Sequence, residues 1–77
     1  MVKMDYIDRL TEIRNDRDIK QSTIAEILGV KQSAVSKYEK RRTQYTVDDI
    51  IKLCNFYKIS ADYILGLPEN LEFPKRN

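Results

Sequence analysis

A short run of polar side chains near the middle of the chain has the residue types of a binding surface. If residues 32–40 form a helix, Val35 and Tyr38 lie on one side of it. The opposite side carries only hydrogen-bonding and cationic groups, at Gln32, Ser33, Ser36, Lys37 and Lys40. Amide, hydroxyl and ammonium groups at this spacing can donate to and accept from a flat polar partner. The pattern therefore indicates that this side of the predicted helix binds a polar partner.

The residue types that catalysis and metal binding require are scarce. The chain has no histidine and one cysteine, Cys54, which rules out the usual zinc ligand sets, histidine acid–base chemistry and an internal disulfide. Thr46 and Ser60 fit helix caps, because no general base stands near either in the pattern. We expect no enzymatic activity, no metal and no other cofactor, and we expect Cys54 to be a small buried thiol.

Length and composition predict one small domain. The chain has 77 residues, of which 42% are hydrophobic and 34% charged, typical of a globular protein. No apolar run approaches the roughly 18 residues of a membrane span, and charges interrupt the first ten residues, where a signal peptide would need an apolar core. We therefore expect a cytoplasmic protein that does not associate with a membrane.

Positive charge is concentrated in one part of the chain. The net charge is +2, but residues 20–45 contain six lysines and arginines against two glutamates, a local balance of +4 that leaves −2 elsewhere. Such an asymmetry suits a surface that meets a polyanion. A solvated basic loop would explain the charge pattern equally well.

Apolar residues recur with helical spacing throughout, and no segment alternates with the period of a strand. The spacing predicts five helices at 4–16, 21–28, 32–40, 47–57 and 61–65. The fourth has an apolar stripe of Val47, Ile50, Ile51, Cys54 and Tyr57, and the tyrosines at 6, 38, 57 and 63 fit the apolar stripes of the predicted helices, which favours core packing over base stacking. The expected fold is a compact all-α domain over residues 1–66, followed by a tail at 67–77.

The second and third predicted helices form a helix-turn-helix unit from residue 21 to 40. Ala25 is small where the two helices would cross, and Gly29 can adopt the left-handed conformation of a sharp turn. Residues 6–66 resemble the DNA-binding domain of the lambda-repressor/Cro superfamily, also called the XRE family. The resemblance lies at Arg14, Arg17, Gln21, Ala25, Gly29, Val30 and Glu39, and in the segment 59–62 that leads into the last helix.

The resemblance implies a five-helix, lambda-repressor-like fold in which the third helix enters the major groove of double-stranded DNA. It implies that Gln32 pairs with adenine and that Lys37 favours guanine. The implied base-contacting residues are Gln32, Ser33, Ser36 and Lys37.

The same resemblance implies backbone contacts that set the register on DNA. The implied phosphate-contacting residues are Gln21, Lys31, Lys40, Arg41, Arg42, Thr43, Gln44 and Tyr45. Gln21 is also expected to brace Gln32. Arg14 and Glu39 correspond to a structural ion pair between the first and third helices, and the helical wheel turns Glu39 toward the inner face.

Several residues depart from the family pattern, among them Tyr45, which stands where the family often has proline. Lys20 and Lys31 stand where the family has N-capping serine, threonine or asparagine, which opposes the helix dipole unless a phosphate lies nearby. Simple tolerance of lysine explains these positions equally well. Arg41 and Lys58 stand where glycine is usual, so either the cap geometry differs or these residues carry backbone strain.

Together these features predict a sequence-specific transcriptional regulator, a repressor that binds a palindromic DNA operator as a homodimer and has no small-molecule effector site. The alternative is a protein-interaction component, such as an antitoxin, that uses the same fold to bind a partner protein. The tail at 67–77 could fold back over the last two helices or cross to a second subunit, and we expect it at the dimer contact.

Overall fold

The computed structural model describes residues 4–68 of the chain. Within that range the helices are α1 (Tyr6–Asp16), α2 (Gln21–Leu28), α3 (Gln32–Glu39), α4 (Val47–Tyr57) and α5 (Ala61–Leu65), and no strand occurs among these residues. The predicted five-helix, all-α fold is confirmed. No helix in this part of the chain is both long and apolar enough to cross a membrane. The prediction for the tail falls largely at 69–77, outside the described residues.

Two capping boxes determine where α1 and α4 begin. The predicted start of α1 at residue 4 is wrong, because Asp5 is the N-cap: it accepts the Asp8 amide at 2.9 Å, and Asp8 accepts the Asp5 amide at 3.2 Å. Thr46 and Asp49 make the same reciprocal pair at 3.0 and 3.1 Å in front of α4. Each box satisfies two backbone N–H groups that the helix cannot satisfy itself.

The helix-turn-helix unit has the predicted boundaries except at its end, since α3 stops at Glu39 and Lys40 becomes the C-cap. Gly29 lies at φ 70° and ends α2, which lets the Val30 amide donate to the Ala25 carbonyl at 3.0 Å. Helix α2 packs on both α3 and α4, α1 packs on α3 and α5, and α4 packs on α5.

The core lies between these helices. Its most deeply buried side chains are Ile24 of α2, Val35 of α3, Leu53 of α4 and Ile64 of α5. Burying an aliphatic side chain of this size stabilises a protein by roughly 1.5–3 kcal/mol. The other core residues are Leu10, Ala25, Leu28, Tyr45, Ile50 and Tyr57. Val35 therefore attaches α3 to the body and determines which side of α3 faces outward.

The predicted apolar stripe of α4 is wrong in part. Its buried apolar side chains are Ile50, Leu53 and Tyr57, while Val47 and Ile51 are 73% and 50% exposed. Because successive residues turn by about 100°, Ile51 points well away from the side that Ile50 and Leu53 share. Tyr63, expected in the core, is also half exposed, and its ring lies under the Arg9 guanidinium at 5.1 Å.

Three arginines connect α1 to three other helices. Arg9 donates to the Tyr63 carbonyl of α5, Arg14 pairs with Glu39 of α3, and Arg17 donates to the Tyr57 carbonyl of α4 at 2.8 Å. The Arg17 guanidinium also lies 5.5 Å from the centre of the Tyr57 ring. Helix α1 thus holds α3 in place from the side opposite its polar face.

Candidate nucleic-acid interface

The recognition face consists of the four α3 residues predicted to contact bases, Gln32, Ser33, Ser36 and Lys37. Gln32, Ser33 and Lys37 are exposed and Ser36 is half-buried, whereas Val35 on the other side is fully buried. All four residues present hydrogen-bonding groups, and none is acidic. The major groove of B-DNA is wide enough to admit an α-helix, and polar side chains on such a helix can hydrogen-bond to base edges.

Exposed cations flank the recognition face. They are Lys20, Lys31, Lys40 and Arg42, and within residues 4–68 no carboxylate forms an ion pair with any of them or with Lys37. Thr43 and Gln44 are exposed in the same loop as Arg42. The basic character predicted for residues 20–45 is therefore a surface property, and these cations are free to meet anionic groups.

The N-termini of α2 and α3 lack side-chain caps. Lys20 and Lys31 occupy the N-cap positions in extended conformations, and neither side chain makes a capping hydrogen bond. The first backbone N–H groups of an α-helix have no partner within the helix. An anion at either end would accept these N–H groups and interact favourably with the dipole and the lysine.

Glu39 is the acceptor at the centre of a hydrogen-bonded cluster beneath the recognition face. Arg14 donates through Nε to Glu39 Oε2 at 2.6 Å and through Nη2 to Oε1 at 2.8 Å, and Gln21 Nε2 also donates to Oε1 at 2.8 Å. The Arg14 and Glu39 side chains are only 14% and 11% exposed. Hydrogen bonding to Glu39 raises the pKa of Arg14, which favours the charged form of the guanidinium. The expected Arg14–Glu39 pair is thus present, and it links α1 to the end of α3.

Arg41, a member of the predicted phosphate-contacting set, pairs with two acidic residues at the start of α1. Its Nη2 donates to Asp8 Oδ1 at 2.6 Å and lies 3.1 Å from both carboxylate oxygens of Asp5. The guanidinium therefore offsets one of the two carboxylate charges of the α1 capping box through Nη2, while its side chain stays 48% exposed. Arg41 has φ 62°, which shows that it carries the strain of the missing glycine and directs its side chain toward α1.

Tyr45, predicted to contact a phosphate, lies for the most part inside the core. The side chain is buried, with its ring centre 4.4 Å from that of Tyr38 and 6.4 Å from that of Tyr6. Burial raises the pKa of the Tyr45 phenol far above its ordinary value. Tyr45 therefore belongs to the core cluster and packs beneath the loop that follows α3.

Sequence reasoning missed the acidic partners of this region. Asp5 and Asp8, like Thr46 and Asp49, have the i, i+3 spacing of a capping box, and that signal is readable from the sequence. The contact between Asp8 and Arg41 joins residues far apart in the chain and has no comparable local signal.

Other reactive groups lie apart from the recognition face. In the described part of the chain no three histidine, cysteine, aspartate or glutamate side chains are arranged to hold a metal ion. Cys54 is half-buried on α4, and burial raises the pKa of its thiol, which lowers its reactivity.

The chain matches a known sequence family over most of its length. The matching family model is described as helix-turn-helix, and it covers residues 10–64. An uncharacterised HTH-type transcriptional regulator, YobD of Bacillus subtilis strain 168, is 31% identical over 65 residues, which is 84% of this chain and 58% of the relative. The HTH-type transcriptional regulator ImmR of the same organism is 36% identical over 61 residues, covering 79% of this chain and 48% of the relative. The chain thus spans about half the length of these curated relatives.

Two solved structures share the fold. A transcriptional regulator from Listeria innocua superposes with a TM-score of 0.77 at 21% identity, covering 92% of this chain and 66% of that one. The P22 c2 repressor, solved in complex with a synthetic operator, superposes with a TM-score of 0.71 at 24% identity, covering 82% of this chain and 96% of that one. At these identities the likeness establishes the fold. The family match and the curated relatives identify the chain as a member of the helix-turn-helix family.

Proposed function

We propose that this protein is a sequence-specific regulator of transcription that binds double-stranded DNA through α3. The observation that carries the proposal is the recognition face: four polar, non-acidic residues on a helix whose opposite side is fixed by the buried Val35 and by the Arg14–Glu39 pair. The HTH-type regulators among its relatives, and a repressor solved with operator DNA among its structural neighbours, support the same conclusion.

Within this proposal, Gln32 and Lys37 provide most of the base discrimination. A bidentate contact from glutamine to adenine, or from lysine to guanine, contributes roughly 1–3 kcal/mol of discrimination, whereas serine accepts several bases. Gln21, Lys31, Lys40, Arg42, Thr43 and Gln44 contact the backbone and set the register. Lys20 joins them, because it stands at an uncapped helix end like Lys31.

We further propose that two copies bind a palindromic operator. One helix-turn-helix unit reaches only a few base pairs, and a two-fold dimer reads two half-sites about 34 Å apart. Occupying such a site at a promoter excludes polymerase, which makes the protein a repressor.

Selection of binding sites from random duplex DNA at about 150 mM salt tests this function. An enriched palindrome is expected, and recovery of no enriched sequence would contradict operator binding. The selected duplex is then titrated with two variants. Gln32→Ala should relax the preference at one base position per half-site, at a cost of roughly 1–3 kcal/mol on the preferred sequence.

Arg42→Ala is the matched control, since Arg42 is exposed and lies just beyond α3. It should weaken binding to all sequences by a similar factor and reduce the salt dependence. If Gln32→Ala and Arg42→Ala had the same effect on every sequence, α3 would not be reading bases.

A second candidate function, binding to a protein partner, rests on the exposed apolar side chains of α4 and α5. Val47, Ile51, Tyr63, Leu65 and Leu67 are all at least 43% exposed, and they lie on or beside α4 and α5. Exposed apolar side chains in such numbers favour contact with protein, either a second copy or a different partner as in an antitoxin. Failure to select any DNA site would favour this function.

A further inference from the structure

Glu39 makes more contacts than an ion pair with Arg14 requires. One of its carboxylate oxygens, Oε1, accepts from Arg14 Nη2 and from Gln21 Nε2, each at 2.8 Å. Gln21 is the first residue of α2, and Glu39 is the last residue of α3. The hydrogen bond from Gln21 to Glu39 therefore joins the N-terminus of α2 to the C-terminus of α3.

The charge of Glu39 fixes which way round the Gln21 amide lies. A carboxylate can only accept hydrogen bonds, so the amide must turn its nitrogen inward and its oxygen outward. One of the two amide hydrogens is used on Glu39, and the second remains for an outside partner. A phosphate also only accepts, so this N–H is the one side-chain group with which Gln21 can bind it, beside the free backbone N–H groups at the start of α2.

Arg14 makes this arrangement possible near DNA. An unpaired carboxylate beside α2 would repel the phosphate backbone, and burying it unpaired would destabilise the fold. The bidentate Arg14 neutralises Glu39 while leaving Oε1 able to accept from Gln21 as well. The cluster is thus a neutral unit with one oriented donor at its surface.

We propose that Glu39 is a positioning residue: neutralised by Arg14, it holds the Gln21 amide so that one N–H points at a DNA phosphate. This inference rests on the proposed DNA-binding function and assigns Glu39 and Arg14 a part in affinity beyond stability. An amide held in place before binding loses less side-chain freedom on contact with DNA, which strengthens binding.

A double-mutant cycle with Glu39→Gln and Gln21→Ala tests the proposal. The Kd of the two single variants, the double variant and the unsubstituted protein is measured on the selected duplex, and the free energy of unfolding of each is measured in urea. Glu39→Gln should weaken DNA binding by about 3- to 10-fold when Gln21 is present. In the Gln21→Ala background the same change should alter the Kd by less than about 2-fold. An equal loss of DNA affinity in both backgrounds would overturn the proposal, because Glu39 would then affect binding only through the stability of the fold.

Ile50→Val is the control for a loss of stability alone. Ile50 is buried in the core on α4 and makes no contact with the Glu39 cluster through a polar group, so the substitution keeps every charge and leaves the bond from Gln21 to Glu39 in place. It should lower the free energy of unfolding while changing the Kd by less than about 2-fold. If Ile50→Val weakens DNA binding as much as Glu39→Gln does, stability alone governs affinity and the proposal is wrong.

A measurement on the unsubstituted protein does not depend on the variants folding. In an NMR spectrum, the side-chain NH2 pair of Gln21 is identified by its loss in Gln21→Ala. One of its protons should be shifted and slow to exchange, because it is donated to Glu39. Two protons with the values of a free, exposed glutamine would overturn the proposal. If the protein selects no DNA site, the proposed function fails, and this spectrum still decides whether Glu39 holds the amide.

Discussion

Within residues 4–68, three non-glycine residues adopt the left-handed backbone conformation, and each lies in the turn that follows a helix. They are Asp18 at φ 55°, Arg41 at 62° and Lys58 at 60°. A side chain in this conformation costs roughly 1–2 kcal/mol relative to right-handed geometry. Arg41 recovers part of that cost through the carboxylates of Asp5 and Asp8. Lys58 makes no ion pair with another described residue, so its strain is not offset in this way.

Replacing Lys58 with glycine should therefore stabilise the protein. Lys58 is the C-cap of α4 and is exposed, so Lys58→Gly removes strain without removing a packed side chain. We expect the free energy of unfolding to rise by up to about 1 kcal/mol, measured in urea. Lys52→Gly, at an exposed position within α4, is the control and should lower it by about 1 kcal/mol. A loss of stability in Lys58→Gly would show that the lysine side chain contributes more than its backbone strain costs.

The contact between Arg41 and Asp8 should make a pH-dependent contribution to stability. Hydrogen bonding from Arg41 lowers the pKa of Asp8 below its ordinary value of 3.8, so the folded state favours the charged carboxylate. Such a contribution is fully present above pH 3.8 and is lost as the pH falls through the lowered pKa. Arg41→Ala should lower the melting temperature at pH 7 and have a much smaller effect at about pH 2. Equal effects at the two pH values would assign the loss to packing or to backbone strain.

At the scale of elements, the helices divide by how their N-termini are capped. Helices α1 and α4 begin with complete capping boxes, and α5 begins with Ser60, whose Oγ accepts the Asp62 amide at 3.1 Å. Helices α2 and α3 begin with lysine and have no side-chain cap. The uncapped pair are the two helices of the helix-turn-helix unit. This division fits the proposed function, because a DNA phosphate satisfies the same N–H groups that a cap would satisfy.

Installing a cap at α3 should separate stability from binding. Lys31→Ser places a hydroxyl where it can accept a first-turn N–H, and the free energy of unfolding should rise by about 1 kcal/mol. The same change removes a cation and occupies an N–H group, so DNA binding should weaken and the salt slope should decrease by about one per half-site. The measurements are urea unfolding and titration of the selected duplex at several salt concentrations.

Lys40→Ser is the matched control for this prediction. It removes one positive charge at the C-cap of α3, as Lys31→Ser does at the N-cap, but it creates no capping hydrogen bond. It should weaken DNA binding without increasing stability. A Lys31→Ser variant that bound DNA as tightly as the unsubstituted protein would mean that lysine is merely tolerated at the cap.

At the scale of the whole molecule, a nearly neutral chain presents one basic face. The net charge is only +2, yet the cations around α3 are unpaired within residues 4–68, while Arg9 and Arg14 of α1 and its C-cap Arg17 make hydrogen bonds within the fold. These arginines therefore hold the domain together, whereas Lys37 of α3 and the lysines at the caps of α2 and α3 remain available for a partner. Charge of this kind acts at short range and is screened by salt.

Affinity for DNA should accordingly depend steeply on ionic strength. A dimer that makes about 6–10 phosphate contacts should lose roughly 10³- to 10⁵-fold in affinity between 50 and 200 mM salt. Titration of the selected duplex across this range measures the slope. A Kd that did not change with salt would contradict an electrostatic interface, and a slope half as steep would indicate that a single copy binds.

Much of the fold was predictable because its signals are local. Residues 21–28, 47–57 and 61–65 formed helices with the predicted boundaries, since periodic apolar residues, Gly29, Thr46 and Ser60 mark them within a few positions. The start of α1 was misplaced because the capping box at Asp5 was not recognised. Which side of α4 is buried was predicted only in part, because several sides of that helix are apolar and only packing against α2 and α5 selects one.

The sequence by itself determined the five-helix domain, the helix-turn-helix unit and the identity of the polar residues on α3, because helical period and capping act over a few residues. Tertiary structure alone decided that Tyr45 enters the core, that Arg41 turns to Asp5 and Asp8, and that Glu39 accepts from both Arg14 and Gln21. These contacts join residues 18 to 39 positions apart in the chain. Such pairings follow from how the helices pack, and no local pattern encodes them.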